Sequence, residues 1–290
     1  MKKSTLLHLR IPFSFFLLPI FLFAWAIEPE VDVFLLAIVF LIIHFLLYPA
    51  SNVYNSYFDK DEESIGGLKE PPKVSKEMYW YALIFDAAAV ILGLLFVNFT
   101  FALLLFIYGL VSKAYSHPAI RLKRYAWVSW FIAGLFQGYF TFLMSYIGLH
   151  DTTLSTTFDM KIQLGALLSS LMLWGSYPMT QIYQHKEDAR RGDRTLSLKL
   201  GIVGTFHFVM VAFALAAALY VWYFLYFFEL KVAFLYIAFL LPLLIFFFRW
   251  YLKVLFDRSR ADFQHTMRLN LISGIVLNLF FLLLAWWNYS

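Results

Sequence analysis

Residues 33–63 read VFLLAIVFLIIHFLLYPASNVYNSYFDKDEE, and this stretch decides the fold. From position 33 to position 58 it contains no charged residue. A helix needs about 20 consecutive apolar residues to cross a bilayer, so we predict a transmembrane helix here. The polar residues that follow place amides and carboxylates at one surface of the membrane.

The rest of the chain repeats the apolar part of this pattern. Hydrophobic residues make up 62% of the 290 residues and charged residues only 14%, which excludes an ordinary soluble domain and a disordered chain. No apolar run alternates as a membrane β-strand does, and helices satisfy their own backbone in lipid. We predict an all-α polytopic membrane protein, a nine-transmembrane-helix bundle that forms one domain over residues 1–290. The predicted spans lie near 11–28, 33–55, 78–97, 99–116, 126–148, 162–184, 202–227, 232–252 and 268–288.

Lysine and arginine are distributed unevenly between the predicted loops. Of the 23 such residues, only Lys161 and Lys231 fall outside the N-terminal segment, every second loop and the span ends beside those loops. Because basic loops stay in the cytoplasm, we expect the N-terminus and the long loops 56–77 and 185–201 on the cytoplasmic side of a bacterial inner membrane. The first span also resembles a signal peptide, whose removal would leave the other eight spans oriented as before.

A polar stripe follows the second predicted span. If the helix continues beyond its apolar part, four polar residues recur at three- and four-residue steps and share one face. They are Asn52, Asn55, Asp59 and Glu63. Polar groups at membrane depth usually face a cavity or a partner, so we interpret this face as functional. Asp61 and Glu62 leave the face and are interpreted as solvated loop residues.

A second polar stripe follows the sixth predicted span. Its members, at the same three- and four-residue steps, are Tyr177, Gln181, Gln184 and Asp188. Both stripes end at the same membrane surface, where we expect Asp59 and Asp188 to converge. Mg²⁺ uses few carboxylates together with waters and phosphate oxygens of a substrate. The chain has no cysteine, which excludes disulfides, thiolate nucleophiles and cysteine-bound metals.

A basic cluster follows the fourth predicted span and contains Tyr115, Arg121 and Lys123. Arginine binds phosphate oxygens in a fork and lysine acts as a point charge. With Arg190 and Arg194 from the second loop, these residues would neutralise an anionic ligand held beside the acidic stripes. The orientation of the chain in the membrane explains the same basic residues without a site.

Four sequence motifs resemble those of the UbiA-type intramembrane prenyltransferases. Asn55-xxx-Asp59-xxx-Glu63 resembles their first Asp-rich motif, NxxxDxxxD, and Gln184-xxx-Asp188 resembles their second, DxxxD. Gly192-Asp193-Arg194-Thr195-Leu196 is similar to the Gly-x-Arg-Thr-Leu sequence that follows the second motif, and Tyr115-Ser-His-Pro-Ala-Ile-Arg121-Leu-Lys123 to the basic loop after the fourth helix. Glu63 and Gln184 depart from the family pattern, which has Asp at both places.

The resemblance implies Mg²⁺-dependent transfer of a prenyl group from an allylic prenyl diphosphate to a lipophilic acceptor, of the aromatic, quinone- or pigment-precursor class. It implies membrane lipid as the surroundings, with no nucleic acid and no obligate protein partner. The implied metal ligands are Asn55, Asp59, Glu63, Gln184 and Asp188. The implied catalytic residues are Asn55, Asp59, Asp188, Arg121 and Lys123. Substrate binding is expected from Asn52, Tyr115, Tyr177, Gln181, Arg190 and Arg194.

Two other functions remain open at this point. A membrane transporter of a small solute or ion also has buried polar groups, but we expect it to carry them near mid-membrane, and here they crowd the inner surface. A lipid phosphotransferase of the CDP-alcohol type would carry a DG-xx-AR element, which the sequence lacks. Asp86, inside the third predicted span, is expected to face protein. Gly134 and Gly138 form a small-xxx-small pair that favours close helix packing.

Overall fold

A computed structural model describes residues 1–289 of the chain. Within these residues it contains no β-strand, only two isolated bridges. The α-helices of the described chain are α1 (Lys3–Leu9), α2 (Leu18–Ala26), α3 (Val33–Asp59), α4 (Glu77–Phe96), α5 (Phe99–Ser116), α6 (Ala126–Leu149), α7 (Met160–Ser176), α8 (His185–Arg191), α9 (Leu196–Phe227), α10 (Leu230–Phe256) and α11 (Phe263–Tyr289). The predicted class, an all-α polytopic membrane protein, is confirmed.

Seven of these helices are long and apolar enough to cross a membrane: α3, α4, α5, α6, α9, α10 and α11. The segments Lys3–Phe16 and Leu18–Ala26, bent by 42°, would make an eighth span as a pair. The predicted count of nine is not confirmed. The difference lies near 162–184, where α7 has 17 residues and gives way to a 3₁₀ helix, Tyr177–Gln181. Pro178 stands in its first turn and cannot supply the N–H that an α-helix would need there.

The described chain divides into two compact units. The first comprises residues 1–15, 30–123 and 144–158, and the second comprises 16–29, 124–143 and 159–289. The first unit contains α1, α3, α4, α5 and the end of α6. The second contains α2, the remainder of α6, and α7 to α11. The first Asp-rich motif belongs to the first unit, and the second motif belongs to the second unit.

The boundary between α4 and α5 lies where the sequence predicts it. The Asn98 side chain accepts a hydrogen bond from the backbone N–H of Phe101 at 2.8 Å, which caps the start of α5. Asparagine is a preferred capping residue because its oxygen satisfies one of the free N–H groups of the first turn. The Asn98 amide also donates to Asp151 Oδ1 at 2.9 Å.

Both predicted polar stripes are shorter than the sequence suggests. Helix α3 ends at Asp59, because Lys60 adopts a left-handed conformation with φ of 52°. Glu63 therefore does not continue the helical face, and that part of the prediction is wrong. The second stripe is broken as well, since α7 ends at Ser176 and α8 begins only at His185. The four residues of this stripe consequently do not share one helical face.

A π-helical segment, Leu135–Phe140, interrupts α6. A side chain of α7 forms hydrogen bonds with backbone groups in and next to this segment. Ser170 Oγ accepts a hydrogen bond from Tyr139 N and donates one to Gly134 O, both at 2.8 Å. The helices approach so closely that a β-carbon at Gly138 would lie 2.5 Å from Ser170 Cα. The predicted close packing at the glycine pair is confirmed.

Replacing Gly138 by alanine is expected to lower the free energy of unfolding by about 2 kcal/mol or more, because the added methyl group forces two backbones apart. The measurement is the thermal midpoint of the purified protein in detergent. Gly175→Ala, in α7, is the matched control, since a β-carbon there would lie 3.5 Å from the nearest atom outside its helix. Equal midpoints for the two variants would contradict the proposed close contact.

Candidate active site

The first group of polar residues lies where α3 and α5 end. Ser51 and Ser112 share a hydrogen bond of 2.6 Å between their hydroxyls. One turn further along both helices, Ser116 Oγ donates a hydrogen bond to Asn55 Oδ1 at 2.7 Å. These two contacts set the polar face of α3 against α5 in a fixed register.

Asp59, the last residue of α3, is 9% exposed and has two cationic partners. The ammonium group of Lys123 contacts its carboxylate, and Arg121 Nη1 lies 3.7 Å from Oδ1. A negative charge at a helix C-terminus is unfavourable, because the last carbonyl groups carry partial negative charge. The two cations offset this cost, and such a locally unfavourable placement is typical of functional sites.

The loop after α5 turns back to bring these cations to Asp59. His117 ends the helix, and the backbone N–H of Arg121 donates to His117 O at 2.8 Å. Arg121 itself has a φ of 46°, a left-handed conformation that reverses the chain. The predicted residues Asn55, Asp59, Arg121 and Lys123 are thus brought together in one unit. Tyr115 is half-buried in the last turn of α5.

Two other residues of the first predicted stripe, Asn52 and Glu63, have different surroundings from Asn55 and Asp59. The Asn52 side chain donates to the backbone carbonyl of Leu9 at 3.3 Å. Arg10 donates to Asn52 O at 3.3 Å and to Gly66 O at 3.1 Å, so the N-terminal segment holds both α3 and the loop that follows it. Glu63 lies exposed in that loop. Arg10 is the basic residue at the entry to the first predicted span, and its contacts with α3 and the following loop were not evident from that position.

The second group is built on α8 and the turn that follows it. Thr195 Oγ1 donates to Asp188 Oδ2 at 3.1 Å, and the backbone N–H of Asp193 donates to Asp188 O at 2.9 Å. Gly192, with a φ of 74°, ends α8 in the left-handed conformation that glycine adopts without strain. Thr195 also caps α9 by accepting from Leu198 N. The Gly-x-Arg-Thr sequence therefore serves to fold the chain back onto Asp188.

Glu187 is buried, with 2% of its surface exposed, and it forms ion pairs with two arginines of the same helix. Arg190 Nη2 lies 3.0 Å and Arg191 Nη2 lies 2.6 Å from Glu187 Oε1. The predicted substrate residue Arg190 is thus held by a neighbouring carboxylate. Arginines three and four residues after a glutamate are the spacing of a helical ion pair, so the sequence carried a signal for this contact.

The remaining predicted residues of the second group hold the backbone around α8. Gln181 Oε1 accepts from Ser197 N at 3.3 Å, which fixes the first turn of α9. The backbone carbonyl of Gln184 accepts from Asp188 N at 2.9 Å. Arg194 N donates to Arg124 O at 3.1 Å, while its side chain is exposed. Tyr177 is half-buried at the start of the 3₁₀ helix.

His185 links α8 to both sides of a break in α9. Its Nε2 is hydrogen-bonded to Ser197 Oγ at 2.8 Å, and Ser197 Oγ to Thr205 Oγ1 at 3.0 Å. Thr205 in turn donates to the carbonyl of Gly201, whose φ of 70° interrupts the helix. Burial lowers the pKa of the His185 ring below its ordinary value of 6.5.

This environment predicts a loss of stability in acid. Above pH 6.5 the His185 ring is neutral in the folded and the unfolded chain. As the pH falls below 6.5, the unfolded chain takes up the proton first, so the folded state loses relative stability. We expect the thermal midpoint in detergent to fall less between pH 8 and pH 5.5 in His185→Gln than in the wild type. His207→Gln, at an exposed histidine, is the control, and the same pH dependence in His185→Gln and wild type would contradict the prediction.

The acidic residues suit a magnesium ion only with help from a ligand. Residues 1–289 contain no cluster of three or more histidines, aspartates and glutamates that could hold a metal ion alone. Mg²⁺ is commonly bound by one or two carboxylates, with substrate phosphate oxygens and waters completing its shell. Asp59 and Asp188 are each a buried carboxylate near a helix end, and each taken by itself fits that mode of binding.

Comparisons with known proteins identify the family. The family model described as UbiA prenyltransferase family matches residues 16–272. The chain is similar to a UbiA homologue from Archaeoglobus fulgidus solved with DMAPP and Mg²⁺, at 18% identity and a TM-score of 0.69, covering 98% of this chain and 99% of that one. The same homologue solved with GPP and Mg²⁺ is 17% identical, with a TM-score of 0.68 and the same coverage of both chains. A structure of a digeranylgeranylglyceryl phosphate synthase in membranes is 20% identical in sequence, with a TM-score of 0.61, and the match covers 98% of this chain and 96% of that one.

A search of curated proteins finds no match. At the identities above, the solved structures establish the fold alone, whereas the family model covers most of the chain. This helical, multi-pass integral membrane protein belongs to the UbiA prenyltransferase family.

Proposed function

We propose that this protein transfers a prenyl group from an allylic prenyl diphosphate to a lipophilic acceptor, in a reaction that depends on Mg²⁺. The observation that carries the proposal is the buried Asp59 carboxylate at the end of α3, with Lys123 and Arg121 against it. The cations offset the unfavourable helix-end charge and are also the groups that would bind a diphosphate. Membership of the family supports this reaction class.

The chemistry requires charge stabilisation on a leaving group. The bond between C1 of the prenyl group and the diphosphate oxygen breaks, and both electrons leave with the diphosphate. A nucleophilic atom of the acceptor bonds to C1 and releases its proton to solvent or to the diphosphate. When bound, Mg²⁺ would neutralise charge that develops on the leaving diphosphate. Lys123 and Arg121 would bind oxygens of the same group.

The remaining residues are assigned from their positions. Asp59 and Glu63 from the first motif, and Gln184 and Asp188 from the second, are proposed as groups that carry Mg²⁺. Arg190 and Arg194 are proposed to bind diphosphate oxygens, and Asn52, Tyr115, Tyr177 and Gln181 are proposed to line the substrate site. For the acceptor we propose an aromatic quinone or pigment precursor. The basic loops support a cytoplasmic site at a bacterial inner membrane.

The test is product formation by the purified full chain in nanodiscs. Radiolabelled dimethylallyl, geranyl and longer allylic diphosphates are each incubated with membrane lipid extract and Mg²⁺, and diphosphate release is measured alongside labelled lipid. We expect labelled lipid and equimolar diphosphate, both lost when EDTA removes the metal. Isopentenyl diphosphate is the matched control: it carries the same leaving group, but its C1 is not allylic and cannot form a stabilised cation.

Two results would contradict the proposal. Diphosphate release at equal rates from allylic and non-allylic substrates would indicate a phosphohydrolase. Movement of a solute across sealed proteoliposomes without any diphosphate release would favour a membrane transporter.

A further inference from the structure

Ser116 is buried, with 1% of its surface exposed, and it touches the predicted site through one contact. Its hydroxyl donates to the amide oxygen of Asn55 at 2.7 Å. A structural seam continues from this contact, because Ser112 and Ser51 form the equivalent contact one turn earlier on the same two helices. The seam holds α5 against α3, and within it Ser116 is the residue that contacts the Asn55 amide.

The contact divides the Asn55 amide into two unlike ends. The oxygen is an acceptor and is engaged by Ser116, whereas the nitrogen carries two N–H donors. Asn55 is half-buried and stands one turn before Asp59, beside which Lys123 and Arg121 lie. An N–H edge at this place extends a set of donors suited to an anion. A metal ion would instead bind the oxygen, and Ser116 occupies one of the two acceptor sites of that oxygen.

We propose that Ser116 is a positioning residue that orients the Asn55 amide, so that Asn55 donates a hydrogen bond to a diphosphate oxygen instead of binding Mg²⁺. The inference rests on the proposed function and changes the role expected for Asn55 from the sequence. Ser116 acts only through Asn55 and does not touch the ligand.

The experiment separates metal binding from diphosphate binding in the full chain. Mn²⁺ is titrated at saturating inorganic diphosphate and followed by electron paramagnetic resonance, and geranyl S-thiolodiphosphate is titrated with Mg²⁺ by calorimetry. We expect Ser116→Ala to weaken binding of the thiolodiphosphate about tenfold, the size of one hydrogen bond to a charged group. Its Mn²⁺ affinity should stay within about twofold, because no metal ligand has changed. Ser116→Thr keeps the hydroxyl and should restore thiolodiphosphate binding.

Two further variants make the test specific. Ser112→Ala removes a hydroxyl from the same seam without touching Asn55, and it should leave thiolodiphosphate binding within about twofold of the wild type. Asn55→Asp replaces the donor by a carboxylate, which should weaken thiolodiphosphate binding more than Ser116→Ala does. Asn55→Ala removes the amide, and a metal-binding Asn55 predicts weaker Mn²⁺ binding in that variant, whereas a hydrogen-bond donor leaves Mn²⁺ affinity within about twofold of the wild type.

The inference is overturned if Ser116→Ala binds the thiolodiphosphate as the wild type does, or if Asn55→Ala loses Mn²⁺ affinity. A wild-type protein that fails to bind the thiolodiphosphate at all would instead overturn the proposed function. Thermal midpoints recorded for every variant identify any loss of affinity that follows from unfolding.

Discussion

Asp59→Asn is expected to reduce kcat/KM for prenyl transfer by about 10²- to 10³-fold, the loss typical of removing one group that stabilises transition-state charge. Asparagine preserves the size of the side chain and removes its charge. Lys123 and Arg121 then lose the carboxylate that holds them at the end of α3, so both the metal site and the diphosphate donors are affected. The measurement is the initial rate of labelled lipid formation at several prenyl diphosphate concentrations.

Glu62→Gln is the matched control for Asp59→Asn. It makes the same change from carboxylate to amide three residues away, at an exposed loop position outside the predicted site. We expect its kcat/KM to stay within about twofold of the wild type, as for an ordinary surface change. Normal turnover in Asp59→Asn, with an unchanged size-exclusion profile, would remove Asp59 from the active site.

The helices were predictable because their signals are local. The sequence predicted a break between the spans 78–97 and 99–116, and α5 begins at Phe99 with Asn98 as its cap. The predicted seventh span begins at residue 202, next to Gly201, whose positive φ interrupts α9. Hydrophobic length and capping chemistry both act within a few residues, so a sequence displays them directly.

The ends of the polar stripes were not predictable in the same way. Helix α3 stops at Lys60, a lysine in a left-handed conformation that glycine or asparagine usually adopts. No glycine marks the end of this helix, so the periodic pattern of polar residues predicted a continuous helical face as far as Glu63. Pro178 did offer a signal for the second stripe, since proline interrupts the backbone hydrogen bonds of a helix.

Contacts between distant segments account for the other differences. Asn52 shares the spacing of Asn55 and Asp59, yet it contacts Leu9, which lies 43 residues earlier in the chain. A one-residue difference in spacing places Asn52 and Ser51 on different sides of α3, and Ser51 is the residue that faces α5. Periodicity identifies a face of a helix, but the neighbour of that face depends on tertiary packing.

Asp86 and Lys113 form an ion pair between α4 and α5, with side chains 17% and 16% exposed. The Lys113 ammonium also lies 5.0 Å from the centre of the Tyr54 ring, a distance at which the ring stabilises a cation. Within residues 1–289 the buried Asp86 Oδ1 has no hydrogen-bond partner. The sequence predicted that Asp86 faces protein, and its protein partner is Lys113. The ion pair offsets the cost of burying the carboxylate inside the membrane.

Breaking the pair from either side is expected to lower the free energy of unfolding by about 3–5 kcal/mol, because an unpaired charge stays buried. The upper limit is set by neutralising the remaining group, which costs about 4–5 kcal/mol at pH 7 from ordinary side-chain pKa values. The double variant Asp86→Asn/Lys113→Met removes both charges and should recover most of the loss. Denaturation of all four proteins in mixed detergent micelles measures the coupling.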